Sequence, residues 1–288
     1  MQTVSVIIPT YNRAKGLKAA VESVLRQSTQ PCEIIIVNDG SKNEVLDDFS
    51  NYKSITVLHN EGNRGANFSR NRGAKESKGE ILMFIDDDDS WNKNKIKNQL
   101  AVFNSDPKIG LVYSNRNIVN DDGKVLKQIT ATRRGNLYPD IFFSNVISTT
   151  SSVAIRRDIF DQAGGFDELL PAMQDYDLWI RACKLCQVGL DIEHTLNYRV
   201  SNNFENQITG SVEKKKRAVK YILKKYNAEI SRFSFWQKRK LNSKLYLSIA
   251  RSCKKKSRGE LFKYCFMSFI SYPSVKSLTP LLSEILKR

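Results

Sequence analysis

The segment Ile81-Leu82-Met83-Phe84-Ile85-Asp86-Asp87-Asp88-Asp89 joins five apolar residues directly to four aspartates. The apolar run predicts a strand that is buried on both faces, and the aspartates mark its carboxyl end. Four adjacent carboxylates repel one another beside a low-dielectric core, and a divalent cation would relieve this repulsion. The alternative is a solvated loop in which Asp89 or Ser90 caps the next helix.

Apolar runs of the same kind occur on both sides of this segment. They predict strands at residues 4–8, 34–37, 55–58 and 111–113, and helices are expected at 17–25, 66–78 and 93–103. Strands that alternate with helices predict an α/β fold, with a mostly parallel sheet covered by helices on both faces. The ligand site of such a sheet lies at the carboxyl ends of its strands.

Two further polar clusters also stand where predicted strands end. They are Thr10-Tyr11-Asn12 and Asn38-Asp39-Gly40-Ser41. Together with the aspartates at 86–89, they predict one binding site at one edge of the sheet rather than three unrelated turns. The sequence has no G-x-x-x-x-G-K-[ST] loop and no G-x-G-x-x-G motif, which argues against P-loop phosphoryl transfer and against hydride transfer on a dinucleotide fold.

The net charge of +16 is concentrated at the end of the chain. Residues 1–210 hold 25 Lys and Arg against 26 Asp and Glu, whereas residues 211–288 hold 21 against 4. This change in composition predicts two domains, an enzyme-sized domain at residues 1–210 and a basic amphipathic helical region at residues 211–288.

The basic region carries apolar residues at helical spacing. The two sets are Val219, Ile222, Leu223 and Tyr226, and Phe262, Cys265, Phe266 and Phe269. Basic amphipathic helices that contain aromatic residues suit the surface of an anionic membrane. The equal alternative is a solvated bundle packed on the main domain, and nucleic acid is not expected as a partner.

The sequence shows no apolar run longer than five residues, so no membrane-spanning helix is expected. The N-terminus has no basic start and no long apolar stretch, and the five cysteines are an odd number in a long chain. We therefore expect reduced thiols and a cytoplasmic location, with peripheral binding to the inner face of the cell membrane if the basic region binds lipid.

A series of short motifs occurs in a fixed order along the first 200 residues. It comprises Val6-Ile7-Ile8-Pro9-Thr10-Tyr11-Asn12, Ile36-Val37-Asn38-Asp39-Gly40-Ser41, Asn63-Arg64-Gly65, Ser69-Arg70-Asn71, Phe84-Ile85-Asp86-Asp87-Asp88-Asp89, Gly164-Gly165-Phe166-Asp167-Glu168 and Gln174-Asp175-Tyr176-Asp177-Leu178-Trp179-Ile180-Arg181. Over residues 3–200 the ordered set closely resembles family 2 glycosyltransferases, whose fold is called GT-A. The basic region lies outside this resemblance.

The resemblance implies transfer of a sugar from a nucleotide donor, usually a UDP-sugar, to an acceptor hydroxyl with inversion at the anomeric carbon. It implies Mn²⁺ or Mg²⁺ as the cofactor. The expected acceptor is a cell-surface polysaccharide or a lipid-linked glycan. Acceptor contacts are expected around residues 130–152 and near Phe166-Asp167-Glu168.

The resemblance also implies roles for single residues of the donor site. Pro9, Thr10, Tyr11, Asn12 and Asp39 would hold the nucleotide base, and Arg70 would support that subsite and the diphosphate. Asp86 would face the ribose and Asp88 would bind the metal, with Asp87 as the variable middle residue of the cofactor-binding D-x-D. Asp89 matches an acid that is common at its position, with a role that the resemblance does not fix.

By the same similarity, Asp175 is the catalytic base that accepts the proton of the attacking hydroxyl. Asp177 is the alternative base, and the structural alternative for Asp175 is a helix N-cap. Many relatives carry a His after a late Tyr-Arg pair, but here the sequence is Tyr198-Arg199-Val200-Ser201. The resemblance therefore supplies no third protein ligand for the metal. Residues 200–211 are expected to form a lid over the donor.

Two functions of other classes remain open on the sequence alone. A sugar nucleotidyltransferase should carry a Gly-rich basic phosphate loop after its first strand, which Thr10-Tyr11-Asn12-Arg13 does not provide. A non-catalytic nucleic-acid-binding module would act through the basic region, and its function would not change on Asp175→Asn.

Overall fold

The computed structural model describes residues 2–42, 49, 52–200, 211–254 and 256–285, with side chains described up to residue 282. The predicted lid therefore lies almost entirely outside the described residues. Contacts divide the chain into two compact units. The first comprises Met1–Ile141, Val146–Glu168 and Asp175–Asn202, and the second comprises Phe142–Asn145, Leu169–Gln174 and Asn203–Arg288. The boundary at residue 210 stays a prediction.

A nine-stranded sheet is the framework of the first unit. Its strands are β1 (Val4–Thr10), β2 (Glu33–Asn38), β3 (Ile55–His59), β4 (Ile81–Phe84), β5 (Ser90–Trp91), β6 (Ile109–Val119), β7 (Val125–Ile129), β8 (Val153–Arg156) and β9 (Gln187–Arg199). Their order is β3-β2-β1-β4-β8-β6-β9-β5, with β7 beside β6. The strands β1, β2, β3 and β4 are mutually parallel, as are β6 and β9, whereas β8 runs antiparallel between β4 and β6.

Five α-helices lie among the described residues of the sheet-bearing part of the chain. They are α1 (Ala14–Leu25), α2 (Ala66–Glu76), α3 (Lys95–Ser105), α4 (Arg157–Gln162) and α5 (Gln174–Leu185). Apolar residues of α1 and α3 pack in one core with Val6, Ile36 and Met83 on one face of the sheet. Helix α2 covers the other face, where a Cβ on Gly73 would lie 2.5 Å from the side chain of Ile7. The prediction of an α/β fold with helices on both faces is confirmed.

The second unit contains the helices of the basic region. They are α6 (Val212–Lys225), α7 (Asn227–Ser231), α8 (Phe235–Cys253), α9 (Arg258–Ser271) and α10 (Val275–Ile285). The rings of Tyr226 and Phe233 pack edge-on against Phe142, with centroids 5.3 and 5.2 Å away. Val219 and Ile222 are buried as their spacing predicts. Within the described residues, no helix is both long enough and apolar enough to cross a lipid bilayer.

Lys95, the first residue of α3, is fully buried beneath the sheet edge. Its ammonium donates to Ser114 Oγ and to the Ser152 carbonyl, each at 3.0 Å, and it lies 5.4 Å from the centre of the Trp91 ring. Burial lowers the pKa of Lys95 to about 7, and Asp191 opposes this shift only in part.

The buried Lys95 makes folding stability depend on pH. Because its pKa is lower in the folded than in the unfolded chain, the unfolded chain binds more protons between pH 7 and 10, and stability rises with pH there. We expect the unfolding free energy of the wild type, relative to Lys95→Met, to rise by about 2 kcal/mol from pH 7 to pH 9.

Urea unfolding at the two pH values measures this difference. Lys97→Met is the matched control, because Lys97 is an exposed lysine on the same helix and should show no such change. If the unfolding free energy of the wild type, relative to that of Lys95→Met, stays constant or falls from pH 7 to pH 9, Lys95 is not desolvated in the folded protein.

Candidate active site

The carboxyl ends of β1 and β2 and the turn after β4 meet at one edge of the sheet. The amide of Asp39 donates to the Thr10 carbonyl at 2.9 Å, and the amide of Asn12 donates to Ser41 Oγ at 2.8 Å. The Thr10 hydroxyl donates to the Asp87 carboxylate at 2.8 Å. Backbone and side-chain hydrogen bonds thus hold together the three polar clusters that the sequence places at strand ends.

The turn after β1 presents polar and aromatic groups to solvent. Pro9 and Thr10 are buried at the end of the strand, whereas the Tyr11 side chain is 46% exposed and therefore does not serve core packing. Asn12 has a φ of +52°, a left-handed conformation that Asn tolerates better than most residues. The turn therefore offers an aromatic ring and a backbone edge at the mouth of the site.

The carboxylate of Asp39 organises the loop that leads into α2. It accepts hydrogen bonds from the amides of Arg64 and Gly65, at 2.9 and 2.8 Å, and from Asn60 Nδ2 at 2.7 Å. Gly40 permits this packing, because a Cβ there would lie 2.5 Å from the backbone of the facing loop. Asp39 is buried at the position predicted for the nucleotide base, and it fixes the backbone around that position.

Asp87 is buried and lies outside the group that the other three aspartates form. Its two oxygens accept hydrogen bonds from Thr10, at 2.8 Å, and from Arg13 Nη1, at 3.2 Å. Burial raises the pKa of Asp87 to about 6, although Arg13 and Thr10 act in the opposite direction. In this structure Asp87 supports the turn after β1, and the cofactor-binding role given to it by resemblance stays a prediction.

The other three aspartates of the cluster converge. Asp86, Asp88 and Asp89 each place a carboxylate oxygen within 4.8 Å of those of the other two. Asp89 is buried; one of its oxygens accepts from the Arg199 amide at 3.1 Å, and its Oδ2 has no hydrogen-bond partner. Arg13 contacts Asp88 Oδ2 at 2.5 Å and neutralises part of the negative charge.

The electrostatics of this trio suit a hard divalent cation. Burial raises the pKa of Asp88 and raises that of Asp89 well above its usual range, and the neighbouring carboxylates raise both further. An all-oxygen set of carboxylates, one of them with a buried oxygen lacking a partner, is the donor set that Mg²⁺ and Mn²⁺ prefer. The residues present therefore fit the predicted metal, with Asp86 and Asp89 beside the predicted ligand Asp88.

Arg70 reaches the acidic cluster from α2. It is buried and forms an ion pair with Asp86, while its Nε and Nη1 have no hydrogen-bond partner. The ring of Phe166 lies 5.3 Å from the guanidinium. Asn71 fixes the Phe166 loop, because its Nδ2 donates to the Phe166 carbonyl at 2.8 Å and its Oδ1 accepts from the Phe166 amide at 2.8 Å.

Residues 148–151 form a short segment that contacts both the aspartates and Trp179 of α5. Ser151 Oγ accepts a hydrogen bond from the Asp86 amide at 3.1 Å, and the Ser151 carbonyl accepts from the Trp91 indole at 2.9 Å. Three residues earlier, the Ser148 carbonyl accepts from the Trp179 indole at 3.3 Å. Trp91 and Trp179 are both buried and belong to the core.

Asp175 lies one helical turn before Trp179, in the first turn of α5. The helix begins at Gln174, and the Asp175 carboxylate accepts a hydrogen bond from the adjacent Tyr176 amide at 2.7 Å. Asp175 is half-buried, and Trp179, one turn further along the same helix, contacts residue Ser148 of the segment that also contacts Asp86. Its role as the proton-accepting carboxylate stays a prediction.

The alternative base, Asp177, is placed differently. It is completely buried, and its Oδ2 accepts from Arg181 Nε at 3.0 Å and from Arg181 Nη2 at 2.5 Å. Arg181 also donates to the Ala163 carbonyl, so the pair joins α5 to the loop after α4. A carboxylate held in this way stabilises the fold and does not face an acceptor.

Several groups at the site were not identified from the sequence. Tyr198 is a half-buried residue of β9, and burial together with Asp89, Asp86 and Asp88 raises its pKa. Arg13 and Ser151 contact the aspartates directly. Arg13 follows the Thr10-Tyr11-Asn12 cluster and could have been suspected, whereas nothing in the local sequence marks Ser151.

Comparison with known proteins agrees with this geometry. A family model described as "Glycosyl transferase family 2" matches residues 5–164. An uncharacterized glycosyltransferase of Haemophilus influenzae is 31% identical over 228 residues, which cover 77% of this chain and 76% of that relative. An uncharacterized glycosyltransferase of Rickettsia felis is 32% identical over 197 residues, which cover 65% of this chain and 32% of the longer relative.

Among solved structures, S. aureus TarS (residues 1–349) in complex with UDP-GlcNAc has a TM-score of 0.62 to this chain. The sequence identity is 16%, and the match covers 96% of this chain and 91% of that one. At this identity the likeness concerns the fold alone, and it confirms the predicted GT-A architecture.

Because Asp177 is buried and Asp175 is only half-buried, replacing them should have different effects on the free energy of unfolding. Asp177→Ala leaves the Arg181 guanidinium without its carboxylate and should destabilise the protein by about 3 kcal/mol. Asp175→Ala should change the unfolding free energy by less than about 1 kcal/mol, because its carboxylate is only half-buried. Chemical denaturation of the two variants measures both values, and equal destabilisation would contradict the different roles assigned to them.

Proposed function

The chain belongs to glycosyltransferase family 2, and from that membership we propose that it transfers a sugar from a UDP-sugar to a hydroxyl of a cell-surface polysaccharide or lipid-linked glycan, with inversion. The observation that carries the proposal is the convergence of Asp86, Asp88 and Asp89 beside the buried Arg70 guanidinium. The structures of S. aureus TarS with UDP and with UDP-GlcNAc support a uridine nucleotide as the donor carrier.

The nucleotide is proposed to bind between the turns after β1 and β2. The exposed Tyr11 ring is available to stack on the base, and the loop that Asp39 fixes supplies a rigid backbone edge. Asp86 faces the ribose in this arrangement. The hydrogen bonds of Thr10 and Arg13 to Asp87 hold the first turn in place, which lowers the entropic cost of binding.

The leaving group of the reaction is a nucleoside diphosphate that gains negative charge as the glycosidic bond to it breaks. A divalent cation bound by Asp88, with Asp86 and Asp89, would stabilise that charge. Arg70 adds a buried positive charge whose Nε and Nη1 have no protein partner, so these groups are free to donate to phosphate oxygens. Phe166 holds the guanidinium in place from one side.

The attacking group is a sugar hydroxyl, which is a weak nucleophile until it loses its proton. We propose Asp175 as the base that accepts this proton while the hydroxyl oxygen bonds to the anomeric carbon. Because Asp177 is locked by Arg181, Asp175 is the carboxylate of α5 that can perform this step. Attack from the side opposite the diphosphate gives inversion of configuration.

Removal of the proposed base tests the chemistry. We expect Asp175→Asn to reduce acceptor-dependent UDP release by about 100-fold or more, since general base catalysis contributes a factor of this size, while the affinity for UDP stays unchanged. Asp122→Asn, which changes an exposed acid in the turn before β7, is the matched control.

The release of UDP by the purified protein is measured with a panel of UDP-sugars. The sugar that gives the fastest release identifies the donor. Release of pyrophosphate instead of UDP would indicate a nucleotidyltransferase. Full activity of Asp175→Asn would show that Asp175 is not the base. A loss of UDP affinity that accompanies the loss of activity would assign Asp175 to donor binding instead.

The proposed metal ligand makes a separate prediction. Asp88→Ala should weaken UDP binding by about tenfold or more in the presence of Mn²⁺, because a ligand to the ion is lost, and should leave metal-free binding nearly unchanged. Calorimetric titration with and without Mn²⁺ measures this, with Asp122→Ala as the control. An equal loss of affinity in both conditions would contradict a role for Asp88 through the metal.

A further inference from the structure

Helix α9 exposes its largest apolar residues to solvent. Phe262 and Phe266 are 59% and 53% exposed, and their rings stack with centroids 6.2 Å apart. The buried side of the helix instead holds Cys265 and Ser268 together with Leu261. The hydrophobic effect disfavours such an arrangement in a helix that only water covers, so the outer side of α9 suits an apolar partner.

A second group of exposed aromatic residues lies at the start of α8. Phe235 and Trp236 are 65% and 62% exposed, and their ring centroids are 5.4 Å apart. Ser234 and Gln237 form a capping box at this end of the helix, which fixes the backbone of the first turn that carries both rings. The two rings are therefore presented by a rigid element.

Arg239 joins the two groups into one surface. Its guanidinium lies 5.5 and 5.6 Å from the ring centres of Phe235 and Trp236. The same guanidinium donates to the carbonyls of Ile270 and Ser271 at the end of α9. We define the aromatic face as the exposed side chains of Phe235, Trp236, Phe262, Phe266, Phe269 and Ile270. Every exposed Phe and Trp in the described part of the chain belongs to it.

The helices that carry the aromatic face are strongly cationic. Exposed basic side chains occur on or beside α8, α9 and α10 at Arg232, Lys240, Arg258, Lys263 and Lys276. Residues 211–288 contain four acids against 21 bases, and two of those acids, Glu213 and Glu260, both contact Lys216. The partner of this surface must therefore combine apolar material with negative charge.

We propose that the aromatic face binds the surface of an anionic lipid bilayer. Aromatic side chains enter the boundary between head groups and acyl chains, and Lys and Arg around them contact anionic head groups, as in helices that lie in a membrane interface. The proposal goes beyond the glycosyl transfer proposed above, since it concerns where the protein binds and not what it catalyses.

The charge distribution favours this partner over two others. A second copy of the chain would bring two strongly positive surfaces together, which is unfavourable, whereas an anionic bilayer compensates the charge. A nucleic acid site needs cations along the track of the phosphates. Here the exposed side chains that define the surface are apolar, and Phe262 and Phe266 stack on each other.

The test is co-sedimentation of the full chain with vesicles of equimolar phosphatidylglycerol and phosphatidylcholine. We expect binding that falls as salt is added and that is much weaker on pure phosphatidylcholine. The double variant Trp236→Ser with Phe266→Ser should lower the partition coefficient by about tenfold or more, because two large apolar groups are removed from the contact. The matched control is Leu126→Ser with Ile192→Ser, two exposed apolar residues outside the second unit, and it should bind like the wild type.

Tryptophan fluorescence gives a second readout that does not depend on truncating the surface. The chain has three Trp, of which Trp91 and Trp179 are buried, so Trp236 alone should respond to lipid. We expect a blue shift of the emission on binding to anionic vesicles. Trp236→Phe should remove the shift while leaving the bound fraction nearly unchanged.

Three results would overturn the proposal. The first is failure of the vesicle prediction, either because the double variant binds as strongly as the wild type or because the wild type does not bind to anionic vesicles. The second is sedimentation with vesicles while the Trp236 emission stays constant. The third is a concentration-dependent dimer, or a complex with single-stranded RNA, that the double variant loses while its vesicle binding persists.

Discussion

The mutual repulsion of four carboxylates at the end of β4 is the constraint around which the site is built. A buried strand delivers Asp86, Asp87, Asp88 and Asp89 to a place where water screens them poorly, and burial raises the pKa of the last three. Two arginines from different parts of the fold compensate part of this negative charge. Arg13 contacts Asp87 and Asp88, and Arg70 pairs with Asp86. Asp89 keeps a buried oxygen without a partner, and this residual charge is what a divalent cation would compensate.

The elements around the cluster keep Arg70 close to the aspartates. Gly73 lets α2 pack closely on β1, and Phe166 supports Arg70 from the loop that Asn71 binds. The proposed transfer uses the same features, because groups that already compensate negative charge are suited to a leaving diphosphate. The proposed transfer therefore draws on the contacts that also stabilise the fold, such as the hydrogen bond between Thr10 and Asp87, which are 77 residues apart in sequence.

Sequence reasoning predicted the alternation of strands and helices, because continuous apolar runs and helical spacing report burial directly. It also predicted which polar clusters meet, since strand ends share an edge of a parallel sheet. It did not predict β5, β7, β8 or β9, which lack the continuous apolar runs of the predicted strands, and β8 pairs antiparallel with both neighbours. The inward orientation of Asp87 and the locking of Asp177 by Arg181 depend on tertiary contacts that no local pattern encodes. The outward orientation of Phe262 was likewise not predicted, because helical spacing places Phe262 and Cys265 on one side of α9, whereas in the structure Cys265 is buried and Phe262 is exposed.

The most direct test of the central claim is the position of a bound ion in crystals grown with Mn²⁺ and UDP. Anomalous scattering at the manganese edge locates the ion independently of any assumption about its ligands. We expect a peak within coordination distance of the Asp88 carboxylate, next to those of Asp86 and Asp89 and to the diphosphate. A crystal in which UDP is bound while the anomalous map has no peak at these aspartates would show that their charge is compensated in another way.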